Sequence, residues 1–142
     1  MEMPPSLTAW FATRGWSPHP HQSEMLARAD EPSLLLIAPT GGGKTLAGFL
    51  PTLAALADGS HKGLHTLYIS PLKALAADIK RNLRHPVEEA NLPIRIDDLT
   101  GDTPQSRRKA QRADPPHILL TTPESLALLL SYEYAPRMFA GL

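Results

Sequence analysis

Short apolar runs recur along the chain, and each is followed by a segment with helical spacing. Residues 34–37, 67–69 and 118–120 form continuous apolar runs, too short for helices and typical of parallel strands buried on both faces. Residues 94–96 alternate between apolar and polar positions, which predicts a shorter, half-exposed strand. This alternation of strands with helices indicates an α/β fold with a mostly parallel sheet flanked by helices.

Two short helices are predicted ahead of the first apolar run. The first carries three apolar side chains at helical spacing and ends at Gly15, and the second begins near residues 21–22. Four more helices are predicted further along, over residues 44–57, 72–83, 104–112 and 123–130. We expect Thr103 to cap the basic helix at 104–112, and Pro86 to break or kink the helix that precedes it.

The composition fits a soluble globular protein. Hydrophobic residues make up 42% of the 142 residues and charged residues 20%. Lys and Arg together number 14, as do Asp and Glu, so local groups must hold any phosphate-bearing partner. Cysteine is absent, which excludes disulfides and thiolate metal sites. Because no apolar run approaches the roughly 18 residues of a membrane span and no signal peptide opens the chain, we expect a cytoplasmic protein without a membrane partner.

The three continuous apolar runs end alike, in small or hydroxyl-bearing residues next to a proline. Residues 38–40 read A-P-T, residues 70–72 read S-P-L and residues 122–124 read T-P-E. Proline suits the first position of a helix, and parallel strands end at one edge of a sheet, where ligands of such folds bind. The pattern therefore predicts a row of helix N-termini, whose free N–H groups and partial positive charge suit phosphates.

Residues 38–45, A-P-T-G-G-G-K-T, carry the most specific pattern in the chain. Glycines in such a loop let backbone N–H groups surround a phosphate chain, Lys44 reaches the terminal phosphates, and the Thr45 hydroxyl binds Mg²⁺. Ala38 stands where the general pattern has its first glycine. A glycine-rich turn that happens to precede Lys and Thr is the alternative, but the strand before and the helix after favour a phosphate-binding loop.

We therefore predict a site for ATP and Mg²⁺. Lys44 and Thr45 are the predicted catalytic residues, and Thr45 is the predicted metal ligand. The residues predicted to hold the nucleotide in this loop are Thr40, Gly41, Gly42, Gly43, Lys44 and Thr45.

Four motifs together resemble those of superfamily-two helicases of the large helicase-related (Lhr) group. The loop is similar to their motif I, while S-P-L-K-A-L at 70–75, T-G-D-T at 100–103 and T-T-P-E-S-L at 121–126 are similar to motifs Ia, Ib and Ic. The opening W-F-A-T-R-G-W-S-P-H-P-H-Q resembles the ligase-associated DEXH-box branch of that group. The resemblance implies a RecA-like P-loop domain, with a helical, Q-motif-like segment at 1–31 and the first part of the domain at 32–142.

The resemblance also implies roles for residues outside the loop. Gln22 lies where the family's Q motif contacts adenine, and an amide can both donate to and accept from a base edge. Single-stranded DNA would be contacted at the strand ends, by Ser70, Pro71, Lys73, Thr100, Gly101, Thr122 and Pro123. Serine and threonine also cap helices, so a purely structural role is open for the hydroxyls. The basic run at 107–112 is interpreted as a solvated helix face.

The implied function is that of an ATP-dependent DNA helicase that moves 3′ to 5′ and acts in DNA repair. Its implied partners are single-stranded and partly duplex DNA, together with a DNA ligase or nuclease. Hydrolysis in motors of this kind needs carboxylates that hold Mg²⁺ and an arginine finger. Acidic pairs occur at 30–31, 88–89 and 97–98, none of them after a buried apolar strand. We therefore expect a fragment truncated before the DExH motif, which binds nucleotide without hydrolysing it.

Two other functions fit part of the pattern. A P-loop kinase or nucleotide transferase would explain Lys44 and Thr45, but it leaves the motifs at 70–75 and 121–126 unexplained. A nucleotide-binding module without enzymatic activity is the second alternative.

Overall fold

A computed structural model describes residues 1–41 and 43–142, which form two compact units. The first unit comprises Met1–Asp58 and His85–Pro93, and the second comprises Gly59–Arg84 and Ile94–Leu142. Contacts within the chain define these units, and the boundary expected between residues 31 and 32 stays a prediction.

The first unit is helical, and the second carries the sheet. Helices α1 (Pro5–Thr13), α2 (Pro20–Ala27) and α3 (Lys44–Leu56) belong to the first unit, and α4 (Lys73–Glu89) runs from the second into the first. The remaining elements of the second unit are β1 (Thr66–Ile69), β2 (Ile96–Leu99), α5 (Gln105–Ala113), β3 (Ile118–Thr121), α6 (Pro123–Leu130) and α7 (Ala135–Met138). None of the helices in the described ranges is long and apolar enough to span a bilayer.

The three strands form a parallel sheet in the order β1-β3-β2, which confirms the predicted parallel arrangement. β3 is central, and Ile118, Leu119 and Leu120 are fully buried because both backbone edges and both faces of this strand are covered. Thr121 pairs with Ile69 on one side and with Leu99 on the other. All three strands therefore end at the same edge of the sheet.

The strand predicted at residues 34–37 is wrong. The segment is not assigned to any strand, and its exposure alternates, with Leu35 at 85% and Ile37 at 84%. An apolar run indicates a tendency to be buried, but a strand also needs a backbone partner, and no described strand pairs with this segment. β1, predicted to be fully buried, is half-buried, and Ile69 is 48% exposed, because β1 lies at an edge of the described sheet.

Helix α4 continues through Pro86 to Glu89, so a break at this proline is wrong, and a kink there stays a prediction. Proline removes one backbone donor from a helix and crowds the preceding turn. Leu83 and Val87 flank Pro86 at i, i+4 spacing and are both buried, so apolar burial offsets that cost. At the other end of the helix the side chain of Leu75 is 42% exposed.

Two elements begin later than predicted. β2 starts at Ile96 and includes both members of the acidic pair at 97–98. α5 starts at Gln105, and Thr103 does not cap it, because the Thr103 hydroxyl instead accepts the backbone N–H of Thr100 at 3.0 Å. The threonine therefore closes the turn between strand and helix.

In the first unit, α1 is tied to the end of α4 by one carboxylate. Trp10 Nε1 donates to Glu89 Oε2 at 2.7 Å, and Arg14 Nε donates to the same oxygen at 2.9 Å. The Arg14 guanidinium also stacks 5.1 Å from the ring centre of Trp16. The hydrogen bond from Arg14, followed by that from Trp10, lowers the pKa of Glu89 below its usual value.

In the second unit, the acidic pair of β2 lies in a network of charged side chains. Lys80 Nζ donates to Asp97 at 3.0 Å and to Asp98 at 2.8 Å, and Arg107 bonds both carboxylates as well. Gln111 Nε2 donates to Asp97 Oδ2 at 2.7 Å and to the backbone carbonyl of Asp98 at 2.9 Å. Burial alone would raise the pKa of Asp97, but these donors outweigh burial and lower it to about 2.

We predict that this network makes the chain less stable in acid. A carboxyl whose pKa is depressed by folding contributes stability that is complete above its unfolded pKa, here 3.8, and is lost as the pH falls towards about 2. Asp97→Asn should lower the free energy of unfolding at pH 7 by about 1–3 kcal/mol, since it removes hydrogen bonds to a charged group. The difference in the free energy of unfolding between Asp97→Asn and wild type should become smaller as the pH falls from 4 towards 2.

Urea unfolding at several pH values measures this effect. Asp78→Asn is the matched control, because among the described residues Asp78 pairs only with Arg81, in an exposed pair on its own helix. The prediction would be contradicted if Asp78→Asn and Asp97→Asn lowered the free energy of unfolding equally and by the same amount at every pH.

Candidate functional site

The predicted phosphate loop lies in the first unit, immediately before α3. Gly41 has φ +79° and Gly43 has φ +74°, values in the left-handed region that glycine adopts without strain. Thr40 and Gly41 are exposed. Gly42, also predicted to bind the nucleotide, lies outside the described residues. The two described glycines thus have the backbone freedom that the sequence pattern requires of them.

The N-terminus of α3 presents free donors beside a cation. Gly43 is the N-cap of this 13-residue helix, no side chain caps it, and its first turn holds no acidic residue. The first N–H groups of a helix have no partner within it, and the helix dipole places partial positive charge there. Lys44 and Thr45 open the helix and are both exposed. The arrangement fits a phosphate group, with the Thr45 hydroxyl as one oxygen ligand for a Mg²⁺ that keeps phosphate and water ligands.

Gln22 joins α2 to this loop. Its side chain is buried, Oε1 accepts the backbone N–H of His19 at 2.8 Å, and Nε2 donates to the Gly43 carbonyl at 3.2 Å. Each end of the amide makes one hydrogen bond within the chain and retains a second N–H or a second lone pair for a contact with adenine. The adenine contact stays a prediction, and the bond to Gly43 is a role that the sequence did not indicate.

Three of the predicted nucleic-acid residues lie side by side in the second unit. Ser70 follows β1, Thr100 follows β2 and Thr122 follows β3, so they continue three paired strands at one edge of the sheet. Ser70 N donates to the Thr121 carbonyl at 2.9 Å, which extends the ladder beyond β1. Neighbouring strands lie about 4.8 Å apart, so the three positions form a short row.

The hydroxyls of this row are buried and bonded within the chain. Ser70 is 1% exposed, Thr100 6% and Thr122 5%. Each holds its own loop: Ser70 Oγ donates to the Leu72 carbonyl, Thr100 Oγ1 accepts the Asp102 N–H, and Thr122 Oγ1 caps α6 by accepting the Ser125 N–H. A structural role is therefore present at all three positions, but only Thr122 caps a helix.

The exposed groups of the same loops include a cation, a glycine and two prolines, together with Leu72, Asp102 and Glu124. Pro71, Lys73, Gly101 and Pro123 are all exposed. Lys73 Nζ lies 3.3 Å from Asp102 Oδ1 in a pair whose side chains are 56% and 80% exposed. A pair this exposed contributes little to stability, so the ammonium group can exchange its partner for a phosphate.

The basic helix α5 is only partly the solvated face that the sequence indicated. Arg108 Nη2 donates to the Thr100 carbonyl at 2.7 Å, and its Nε donates to the Thr103 carbonyl at 2.9 Å. The Arg108 side chain therefore holds the loop after β2 in place through two backbone carbonyls. Lys109 and Arg112, one helical turn apart, remain exposed.

We predict that a side chain at position 43 disturbs the loop more than one at position 41. Both positions have left-handed backbone, so alanine is strained at either, but a Cβ at 43 would lie 2.6 Å from Gln22 Nε2, whereas a Cβ at 41 meets nothing. The Gln22 amide is bonded at both ends and cannot swing aside. Gly43→Ala should therefore destabilise the nucleotide-free chain more than Gly41→Ala, by about 1 kcal/mol.

Thermal unfolding of both variants, repeated in a Gln22→Ala background, measures this difference. The difference in stability between Gly43→Ala and Gly41→Ala should vanish once Gln22 is truncated to alanine. A gap that persists without the Gln22 amide would show that the clash does not cause it.

Comparison with known proteins identifies the family. The family model "DEAD/DEAH box helicase" matches residues 19–139. The Lhr helicase/probable uracil glycosylase of Mycolicibacterium smegmatis is 45% identical over 136 residues, and the Lhr helicase/uracil glycosylase of Escherichia coli is 38% identical over 149 residues. These alignments cover 86% and 89% of this chain but only 9% and 10% of the relatives. The chain thus spans about a tenth of the length of these two relatives.

Solved structures share the fold. A structure of Mycobacterium smegmatis helicase Lhr bound to ssDNA and AMP-PNP matches with a TM-score of 0.80 at 42% identity, over 93% of this chain and 18% of that one. The DUF1998 helicase MrfA bound to DNA and AMPPNP matches with a TM-score of 0.83 at 29% identity, over 100% of this chain and 21% of that one. The predicted RecA-like class and the resemblance to the Lhr group are confirmed. This chain belongs to the DEAD/DEAH box helicase family.

Proposed function

We propose that this chain is the N-terminal ATP-binding part of an ATP-dependent DNA helicase. The proposal rests on the positions of Ser70, Thr100 and Thr122. Each belongs to a different motif, and each follows one of three paired strands at the carboxyl edge of one parallel sheet. Ligands of open α/β folds bind outside the carboxyl ends of their strands. The relatives support both ligands, since the Lhr and MrfA structures contain AMP-PNP or AMPPNP together with DNA.

The loop before α3 binds the phosphates of ATP in this proposal. Backbone N–H groups of residues 41–45 surround the phosphates, Lys44 neutralises the terminal ones, and Thr45 offers its hydroxyl to Mg²⁺. Gln22 holds the end of the loop through the Gly43 carbonyl and reads adenine. Bound ATP with Mg²⁺ supplies the phosphoryl group whose hydrolysis drives the motor.

The strand-end loops bind the backbone of single-stranded DNA. Lys73 contributes charge, and Gly101 contributes an exposed backbone without a side chain in the way. Ser70, Thr100 and Thr122 keep these loops in place. Contacts of this kind position a strand with little dependence on its sequence.

Other parts of the proposal rest on the family resemblance. They are translocation from 3′ to 5′, a role in DNA repair on single-stranded and partly duplex DNA, a DNA ligase or nuclease as partner, and a cytoplasmic location. We also propose that the chain by itself binds nucleotide without hydrolysing it. Its acidic pair in β2 supports this, because Lys80 and Arg107 already neutralise Asp97 and Asp98. Hydrolysis needs carboxylates that are free to hold Mg²⁺ and an arginine finger.

We predict that Lys44→Ala weakens ATP binding by the chain roughly tenfold to a hundredfold, since it removes hydrogen bonds to a charged group. Isothermal titration with ATP and Mg²⁺ measures the affinity, and a phosphate-release assay measures hydrolysis. Lys62→Ala, at an exposed lysine of the second unit, should bind ATP as wild type does. Phosphate release clearly above that of Lys44→Ala would mean that these residues hold a complete catalytic site.

We predict opposite effects from the two members of the exposed ion pair. In the full-length protein, Lys73→Ala should weaken binding of single-stranded DNA. It should also reduce the salt slope, the dependence of the logarithm of the binding constant on the logarithm of the salt concentration, by about 0.7, which corresponds to one phosphate contact. Asp102→Asn should strengthen binding, because it removes a negative charge 3.3 Å from the Lys73 ammonium. Salt titrations of oligonucleotide binding measure both. Unchanged binding in both variants would show that the strand does not pass these loops.

A further inference from the structure

A cleft in the second unit lies between α5, α6 and the turn that precedes α7. Its volume is about 150 Å³, and an apolar cavity of about that size can hold a benzene ring. Arg108, Lys109 and Arg112 contribute to the wall on one side, and Tyr132 and Tyr134 on the other. No carboxylate lines the cleft, and Glu133, between the two tyrosines in sequence, is not part of its wall.

Two tyrosines that line the cleft, Tyr132 and Tyr134, stack on each other. The rings of Tyr132 and Tyr134 lie 5.2 Å apart and 13° from parallel. The Arg112 guanidinium lies 4.9 Å from the centre of the Tyr134 ring. Tyr132 is 43% exposed, so its ring presents free surface to a further planar group. Lys109 has no ion pair or hydrogen-bond partner within the described residues, which leaves its charge available to an anion.

The cleft adjoins two of the strand-end loops. Ser125 lines it, and its Oγ accepts a hydrogen bond from Thr122 Oγ1 at 3.1 Å. Arg108 lines it too and donates to the Thr100 carbonyl. The cleft is therefore linked to the loops that follow β2 and β3.

We propose that this cleft, which we call the Tyr132 cleft, binds a nucleotide of the single strand next to those held at the strand ends. Lys109 and Arg112 contact phosphates, and a base stacks on Tyr132. The inference rests on the proposed function, since it extends the same nucleic-acid surface. An acidic protein segment could satisfy the cations, but it would leave the exposed ring of Tyr132 unused. Planar bases use both, and base–aromatic stacking tolerates any sequence.

Binding of a labelled, mixed-sequence single strand to the full-length protein tests the proposal by fluorescence anisotropy across a salt series. The double variant Lys109→Gln/Arg112→Gln should reduce the salt slope by about 1.4, which is two contacts at ~0.7 each. Its matched control is Lys62→Gln/Arg81→Gln, which removes the same two charge types from exposed positions elsewhere in the unit and should leave the slope unchanged. Tyr132→Ala should weaken binding about fivefold or more, whereas Tyr132→Phe keeps the ring and should bind as wild type does.

Lys73→Ala separates failure of this inference from failure of the proposed function. If Lys73→Ala weakens binding while the variants of the Tyr132 cleft match wild type, the cleft proposal is overturned and the strand-end contact stands. If the double variant weakens binding but Tyr132→Ala does not, the cations act without stacking, and the proposed base contact is overturned. If Lys73→Ala and all of the cleft variants bind as wild type does, both proposals are wrong.

Discussion

The parallel pairing of β3 with a strand on each side is the constraint on which the candidate nucleic-acid surface depends. Parallel strands all point the same way, so the residues after Ile69, Leu99 and Thr121 must emerge at one edge of the sheet. Three segments that lie up to about fifty residues apart in sequence thereby become neighbours. The buried hydroxyls then fix the loops, and the exposed groups between them are left for a ligand. Position along the sheet, rather than any single side chain, creates the surface.

Some of the cations near this surface stabilise the fold, and others are exposed and available to a ligand. Arg107 neutralises the aspartates of β2, and Arg108 holds two carbonyls of the loop that follows. Lys73, Lys109 and Arg112 are exposed instead, and within the described residues only Lys73 of these three forms an ion pair, a solvated one with Asp102. A chain with no net charge can thus present local clusters of cations, because Asp97 and Asp98 are paired with other cations.

The sequence predicted the elements whose signal is local. β3 is a continuous apolar run, and α1 and α3 carry helical periodicity between clear start and stop residues, so each was located within a few residues. It failed where the outcome depends on a distant partner. Residues 34–37 have the pattern of a buried strand but no described neighbour, and Pro86 is tolerated because Leu83 and Val87 are buried around it. The predicted row of strand ends is right only in part: residues 70–72 and 122–124 follow described strands, residues 38–40 follow none, and Thr100 after β2 takes the third place. The bond from Gln22 to Gly43 and the stack of Tyr132 on Tyr134 have no periodic signal.

Backbone hydrogen exchange, measured on the full-length protein with and without a single-stranded oligonucleotide, tests most directly the claim that the carboxyl edge of the sheet binds nucleic acid. Peptides that span residues 70–76, 100–105 and 121–126 should exchange more slowly when the strand is bound, because phosphates occupy their exposed N–H groups. Peptides at the opposite edge, 59–66 and 113–117, should exchange at the same rate in both states. Protection confined to the opposite edge, or absent from all of these peptides, would contradict the account.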